Sequence, residues 1–167
     1  METVMEIGEG FVGEGVDAAH VNTVLGDKSG PVGIAWASGL AGPSAGHAAF
    51  MVVGQPGVAA VPATLFVNKA PIEGADHGQM TWGPAQAGVA KGVALALGEG
   101  IIDAAAARHL VLVAAVWVNP AAADADAVFA NNTEATLQAL RNGREGLPSV
   151  TDAVAAGLSP WNPFFQP

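Results

Sequence analysis

A chain of 167 residues, 51% hydrophobic and only 13% charged, has the size of one domain able to bury most of a core. Its net charge of −9, with three lysines and three arginines scattered and no basic run, excludes sequence-general nucleic-acid binding and attachment to an anionic membrane surface. The absence of cysteine excludes disulfides, a thiolate nucleophile and cysteine-ligated metal. A charged fraction about half the usual ~25% predicts that some surface is buried against further copies, as a ring or dimer; the alternative is an Ala/Gly-rich monomer.

The segment METVMEIGEG lacks the basic flank and apolar core of a secretory signal, and a cytoplasmic protein is expected. Ile7–Val12 and Ala19–Leu25 read as strands about a Gly-Glu-Gly turn at 13–15. The 26–31 segment is loop chemistry, and Val32, Trp36 and Leu40 have the i, i+4 spacing of a short helix over 32–40. Loop 42–46 ends at His47. Ala49–Val53 and Thr64–Val67 are strand-like, separated by a proline-punctuated stretch over 56–62, and Pro71 ends the second.

Pro84 is placed as the first residue of a helix to Leu97, with Val89, Val93 and Leu97 inward. Ile102–Ala107 reads as a helical turn. Leu110–Val118, the longest apolar run, is far short of the ~20 residues of a membrane span and reads as a buried strand. A last helix covers Ala123–Arg141, with Val128, Leu137 and Leu140 inward and Gly143 as its stop. Residues 1–143 form the domain. Residues 144–167 form a C-terminal arm in which Pro148, Pro160, Pro163 and Pro167 deny long regular structure. Trp161, Phe164 and Phe165 in that arm are costly to leave in water, so they pack on a neighbouring subunit or on their own. Mixed strands and helices with short loops make the fold class α+β.

Gly8-Glu9-Gly10-Phe11-Val12-Gly13 matches a dinucleotide fingerprint, but strand-like residues follow where a helix is needed, so glycine-rich turn structure is the better reading. His20, His47, His77 and His109 show no ligand spacing, and no metal site is expected. Alternation places His20, Asn22 and Val24 on one strand face, and Ala19, Val21 and Thr23 on the other. An imidazole titrating near neutrality suits general-acid work; a satisfied core histidine is the other reading, and His47 is a second candidate. His109, beside Arg108, reads as a solvated helix end. Lys69 either binds an anionic or carbonyl group or marks a strand end. Gln86, on the first helical turn, either hydrogen-bonds a heterocycle or caps its helix.

Several segments together resemble the formaldehyde-activating enzyme family. They are Ile7-Gly8-Glu9, Gly13-Glu14-Gly15, Ala19-His20, Leu25-Gly26-Asp27-Lys28, Gly30-Pro31-Val32-Gly33, Gly46-His47, Asn68-Lys69, Gly83-Pro84-Ala85-Gln86 and Glu99-Gly100-Ile101-Ile102. They run in register over about residues 6–140, and Asn162-Pro163-Phe164 extends the likeness into the tail. The resemblance implies a fold like the second domain of ribosomal protein S5, a cytoplasmic homopentamer, and a pterin site in a cleft between subunits. It implies condensation of formaldehyde with tetrahydromethanopterin, with no metal. His20 would be the general acid, with Lys69 and Gln86 at pterin-binding positions and Met51 where a family leucine lines the site. Two positions depart: Asn22 replaces the family's aspartate and Pro71 its threonine. Asn22 cannot carry charge, so losing an orienting aspartate there is expected to lower the histidine's pKa and weaken acid catalysis, leaving a pterin-binding paralogue as the alternative. The chemistry needs a proton in any case. An amine adds to formaldehyde to give a carbinolamine, whose hydroxyl must leave as water.

Overall fold

The computed structural model describes residues 5–167; the first four, which open the acidic segment discussed above, lie outside it. The elements in chain order are β1 (Met5–Val12), β2 (Ala19–Asp27), α1 (Pro31–Ala41), β3 (Phe50–Met51), β4 (Val53–Gln55), β5 (Val58–Ala59) and β6 (Ala63–Asn68). There follow α2 (Gly74–Met80), a π turn (Thr81–Ala85), α3 (Gln86–Gly98), β7 (Leu110–Trp117), α4 (Ala125–Glu145) and α5 (Val150–Leu158). The main sheet has the order β1-β2-β7-β6-β3, with β6 and β7 parallel and the other pairs antiparallel. The chain is a single α+β domain, as its mixed patterning predicts.

One sheet face is closed by α3 and α4. Its core includes Val21, Leu112, Ala114, Val116 and Phe66 from the strands, with Val89, Val93, Ala135 and Leu140 from the helices. The glycines of the 8–13 motif have their explanation here. Gly8 and Gly10 are buried in mid-strand rather than in a turn, and a Cβ on them would lie 1.8 Å from the Ala139 carbonyl oxygen and 2.2 Å from that of Ala135. Only strand residues without side chains let α4 come this close. Gly88 and Gly92 do the same between α3 and α4, where an added Cβ would meet the Phe129 carbonyl oxygen at 2.7 Å and Thr136 Cβ at 2.7 Å.

Several expectations need correction. The helix does not begin at Pro84. It is already running from Gly74, and Pro84 sits inside the π turn, where the Gln86 N–H bonds to the Thr81 carbonyl five residues back. The wider turn accommodates a residue that lacks a donor. Ala49–Val53 is two strands, because after Val52, whose N–H still donates to the Thr64 carbonyl of β6 at 2.8 Å, the chain leaves the main sheet and β4 pairs with β5. Ile102–Ala107 forms turns, tied by Asp103 Oδ1 accepting from the Ala105 N–H at 2.9 Å, so His109 ends a turn rather than a helix. In α1, Val32 is buried and Trp36 half-buried but Leu40 is 42% exposed, so the expected stripe is only partly covered. The last helix runs past Gly143 to Glu145 and stops at Gly146, whose φ of 65° is the left-handed C-terminal cap. The tail holds a nine-residue helix, α5, fitted between Pro148 and Pro160 and capped by Ser149 accepting from the Asp152 N–H.

Asp124 caps α4 by accepting from the N–H groups of Asp126 and Ala127, both at 3.0 Å. Asp124→Ala is expected to cost about 1 kcal/mol, read as a lower urea midpoint with an unchanged slope.

Candidate active site

The second sheet face is only partly covered. Leu65 lies on it, and Gly39 of α1 packs there so closely that a Cβ would sit 2.8 Å from Leu65 Cδ2. Beyond the reach of α1 the face is open. Strand register lines its side chains up in rows: Phe11 opposite His20 opposite Trp117, then Glu9 opposite Asn22 opposite Ala115. The predicted alternation holds, with Ala19, Val21 and Thr23 buried and His20, Asn22 and Val24 half-buried. Lys69 follows β6 and joins the His20 row because its N–H donates to the Val116 carbonyl at 2.8 Å, extending the parallel ladder by one step.

Three titratable side chains meet on this face. Glu9 Oε1 lies 3.0 Å from His20 Nε2, and Lys69 Nζ lies 3.3 Å from His20 Nδ1. The carboxylate can only accept, so Nε2 carries the proton and Nδ1 receives one from the lysine. Phe11 leans on the imidazole with ring centres 5.8 Å apart. Burial, then the charge of Lys69, pulls the His20 pKa below its usual value, and Glu9 pulls it back up through charge and hydrogen bond. Burial lowers the Lys69 ammonium from its ordinary 10.5 to about 8, against the attraction of Glu9. Both shifts come chiefly from burial, which favours the neutral imidazole, while Lys69 keeps its charge below about pH 8.

This assigns a pH dependence to stability. Both cations have folded pKa values below their unfolded ones, so the unfolded chain binds the proton more tightly. For Lys69 the penalty is fully present below pH 8 and is relieved as pH rises from about 8 to 10.5. Urea midpoints are therefore expected to rise across that window and to flatten in Lys69→Met. An unchanged slope in the variant would refute the assignment.

Met51 and Gln86 lie elsewhere, in an open apolar groove of about 430 Å³ at the β3 edge, with Phe50 and Trp82 among its walls. Gln86 does not cap its helix. Its Oε1 accepts from the Val53 N–H at 2.8 Å and holds β4 against α3. Within one chain, then, the predicted residues form two clusters: His20, Asn22 and Lys69 on the sheet, and Met51 with Gln86 in the groove. Pro71 is exposed beside the loop that carries His47, packed against Gly46. His47 donates from Nδ1 to the Asn68 carbonyl at 2.9 Å, and Asn68 Nδ2 in turn donates to the Gly46 carbonyl, so both serve to shape this loop. His77 is the satisfied core histidine: it is 2% exposed, accepts from the Glu73 N–H at Nδ1 and donates from Nε2 to the Val118 carbonyl.

Glu9 is the site residue that residue-by-residue reading missed. Its signal was available: closing the hairpin with Val12 opposite Ala19 sets Glu9 opposite Asn22, one step diagonal from His20. A carboxylate thus reaches His20 from the neighbouring strand although Asn22 carries none. Trp82 and Phe50 were also missed, because the groove is built from segments distant in sequence. In the tail, Phe164 packs edge-on against Trp117 at 5.9 Å, yet Phe164 is 81% and Trp161 69% exposed. Among the described residues, no helix is long and apolar enough to cross a membrane.

A family profile described as formaldehyde-activating enzyme (Fae) matches residues 7–164. The bifunctional enzyme Fae/Hps of Methanothrix thermoacetophila is 41% identical over 144 residues, which is 86% of this chain and 37% of that protein. Its counterpart in Methanococcoides burtonii is 41% identical over 147 residues, 88% of this chain and 37% of the relative. That of Archaeoglobus fulgidus is 36% identical over 158 residues, 95% and 40%. The chain therefore spans about two fifths of the length of these relatives. The match runs from the strand that supplies Glu9 to the tail that touches Trp117, and over that span the chain belongs to the formaldehyde-activating enzyme family.

Proposed function

We propose that the chain condenses formaldehyde with tetrahydromethanopterin, releasing water, with His20 as the general acid. The observation that carries this reading is the Glu9–His20–Lys69 hydrogen-bonded chain on an open sheet face, in a protein of this family. The pterin supplies the amine that attacks formaldehyde; the protein supplies the proton that lets the hydroxyl leave. Glu9 fixes the imidazole plane and opposes the loss of its charge. Lys69 holds the reserve proton next to Nδ1 and makes the imidazolium a stronger acid. The half-buried position limits competing water and strengthens each of these interactions.

The residues fit a reduced pterin. Phe50, Met51 and Trp82 offer an apolar groove for a flat heterocycle, and the amide NH2 of Gln86 is its donor. Asn22 and Pro71 stand as further contacts at the sheet and loop sides. Because the groove and the dyad are separate within one chain, the complete site is formed between subunits of a cytoplasmic ring, five by resemblance, on an S5 domain 2-like fold. Met5, Ile7 and Phe11 on β1 and Val150, Val154 and Leu158 on α5 supply exposed apolar surface for such contacts, and residues 144–167 act as the arm. Light scattering of the purified protein is expected to give a mass several times 16.6 kDa.

The deciding experiment is the rate of methylene-tetrahydromethanopterin formation with and without the protein. Acceleration is expected. Asn22 and Pro71 favour a second reading, a non-catalytic carrier or sensor of the pterin. Tight binding by titration calorimetry with no gain over the spontaneous rate would select it.

A further inference from the structure

We propose that Lys69 is itself a formaldehyde-capture site, its amine bonding covalently to the carbon before transfer to the acceptor amine. The transfer step rests on the reading above; the capture step does not.

The geometry supplies each part. Lys69 Nζ is 3.3 Å from His20 Nδ1, so the nucleophile and its acid are one hydrogen bond apart. The backbone of Lys69 is pinned by its N–H bond to Val116, which fixes the root of the side chain. His20 is held from its far side by Glu9, so a proton passed from Lys69 to Nδ1 leaves a neutral amine facing an imidazolium stabilised by a carboxylate. Desolvation next to a second cationic group is how lysines become nucleophiles at neutral pH. The other two lysines lack this setting. Lys28 donates to the Arg108 carbonyl at 3.1 Å on the surface, and Lys91 lies over the Phe129 ring at 5.2 Å.

The chemistry balances without an oxidant or reductant. The neutral Nζ adds to the carbonyl carbon; the C=O π pair moves to oxygen, which takes a proton, and the nitrogen sheds one. The result is a carbinolamine, Lys69–NH–CH2OH. His20 protonates the hydroxyl, the C–O bond breaks, water leaves, and the nitrogen pair closes an iminium, Lys69–NH+=CH2. An acceptor amine then attacks this carbon, and after proton transfer the Lys69–carbon bond breaks, returning the free amine. Transfer between amines avoids releasing formaldehyde into water.

The test needs no pterin. The intact protein is treated at pH 7 with one equivalent of formaldehyde and cyanoborohydride, which reduces the iminium to a stable methylamine, and the lysines are compared by peptide mass mapping. With its ammonium at about 8, Lys69 carries on the order of a hundredfold more neutral amine than an ordinary lysine. Allowing for its partial burial, we expect it to be labelled at least about tenfold faster than Lys28 or Lys91. Equal labelling of the three would overturn the capture site. His20→Ala is expected to slow labelling at Lys69 alone. Lys69→Arg, which keeps the charge, is expected to lose both the label and the accelerated pterin condensation. Full condensation activity in Lys69→Arg would overturn the transfer step. Labelling at Lys69 in a protein that does not accelerate condensation would leave the capture site standing and remove the pterin reading.

Discussion

His20→Ala is expected to lower the rate of methylene-tetrahydromethanopterin formation by about 10²–10⁴, or about 2.7–5.5 kcal/mol of activation free energy. Only His20 touches both other members of the chain, so its loss removes the acid and disconnects Lys69 from the reacting oxygen. The protein should remain folded. The His20 side chain is 36% exposed and the Ala19, Val21 and Thr23 face beneath it is untouched, so the unfolding midpoint should move little. Glu9→Gln keeps a hydrogen bond to Nε2 but removes the charge that raises the His20 pKa. It should lose less than His20→Ala and lose it mainly on the alkaline side, where fewer imidazoles hold a proton. A His20→Ala rate within tenfold of the wild type would place the proton donor elsewhere.

Gly8→Ala should be a severely damaging single-methyl change. The new Cβ would lie 1.8 Å from the Ala139 carbonyl oxygen and 2.7 Å from its carbon. Both are helix backbone atoms, which cannot rotate aside, so β1 and α4 must separate along their length. We expect a loss near the top of the overpacking range, about 3 kcal/mol, and a melting temperature lower by about 10 °C in a domain of this size. Gly98→Ala is the matched control. It sits in open space at the end of α3, so alanine should be neutral or slightly stabilising. Equal melting temperatures for the two variants would mean that the strand and helix do not approach as closely as described. Because β1 carries Glu9 on its opposite face, Gly8→Ala should also displace Glu9 from His20.

Features carried by local periodicity were legible in the sequence. The alternation along 19–25 placed His20 and Asn22 on one face, and the apolar run at 110–118 placed the central strand. Lys69 at a strand end, with two readings open, is brought to His20 by a parallel ladder that no local pattern encodes. Glu9 depends on hairpin register, which a one-residue change in the turn would invert. The glycine motif was read as turns because glycine's conformational freedom is a local property; close approach to α4 involves residues more than a hundred positions away. The start of the α2–α3 run was hidden by Pro84, a dependable helix-starter except where a widened turn admits it. The pterin, the count of five subunits and the shared cleft are implied by family resemblance alone, whereas association is expected from the low charge and packing of the arm from its aromatics.

That widened turn has a consequence for registration. Each residue advances an α-helix by about 100°, so a single extra residue would re-phase everything downstream unless a widened turn absorbs it. The turn at Thr81–Ala85 acts as a one-notch gear between two halves of one rod. Upstream, the notch sets His77 into the core; downstream, it sets Val89, Val93 and Ala96 into the core while leaving Gln86 on the groove side. Inserting one further residue at Gly83 would exceed what the turn absorbs and put the two halves out of step by about 100°. Core and groove could then no longer both be served, although no side chain in either had been changed.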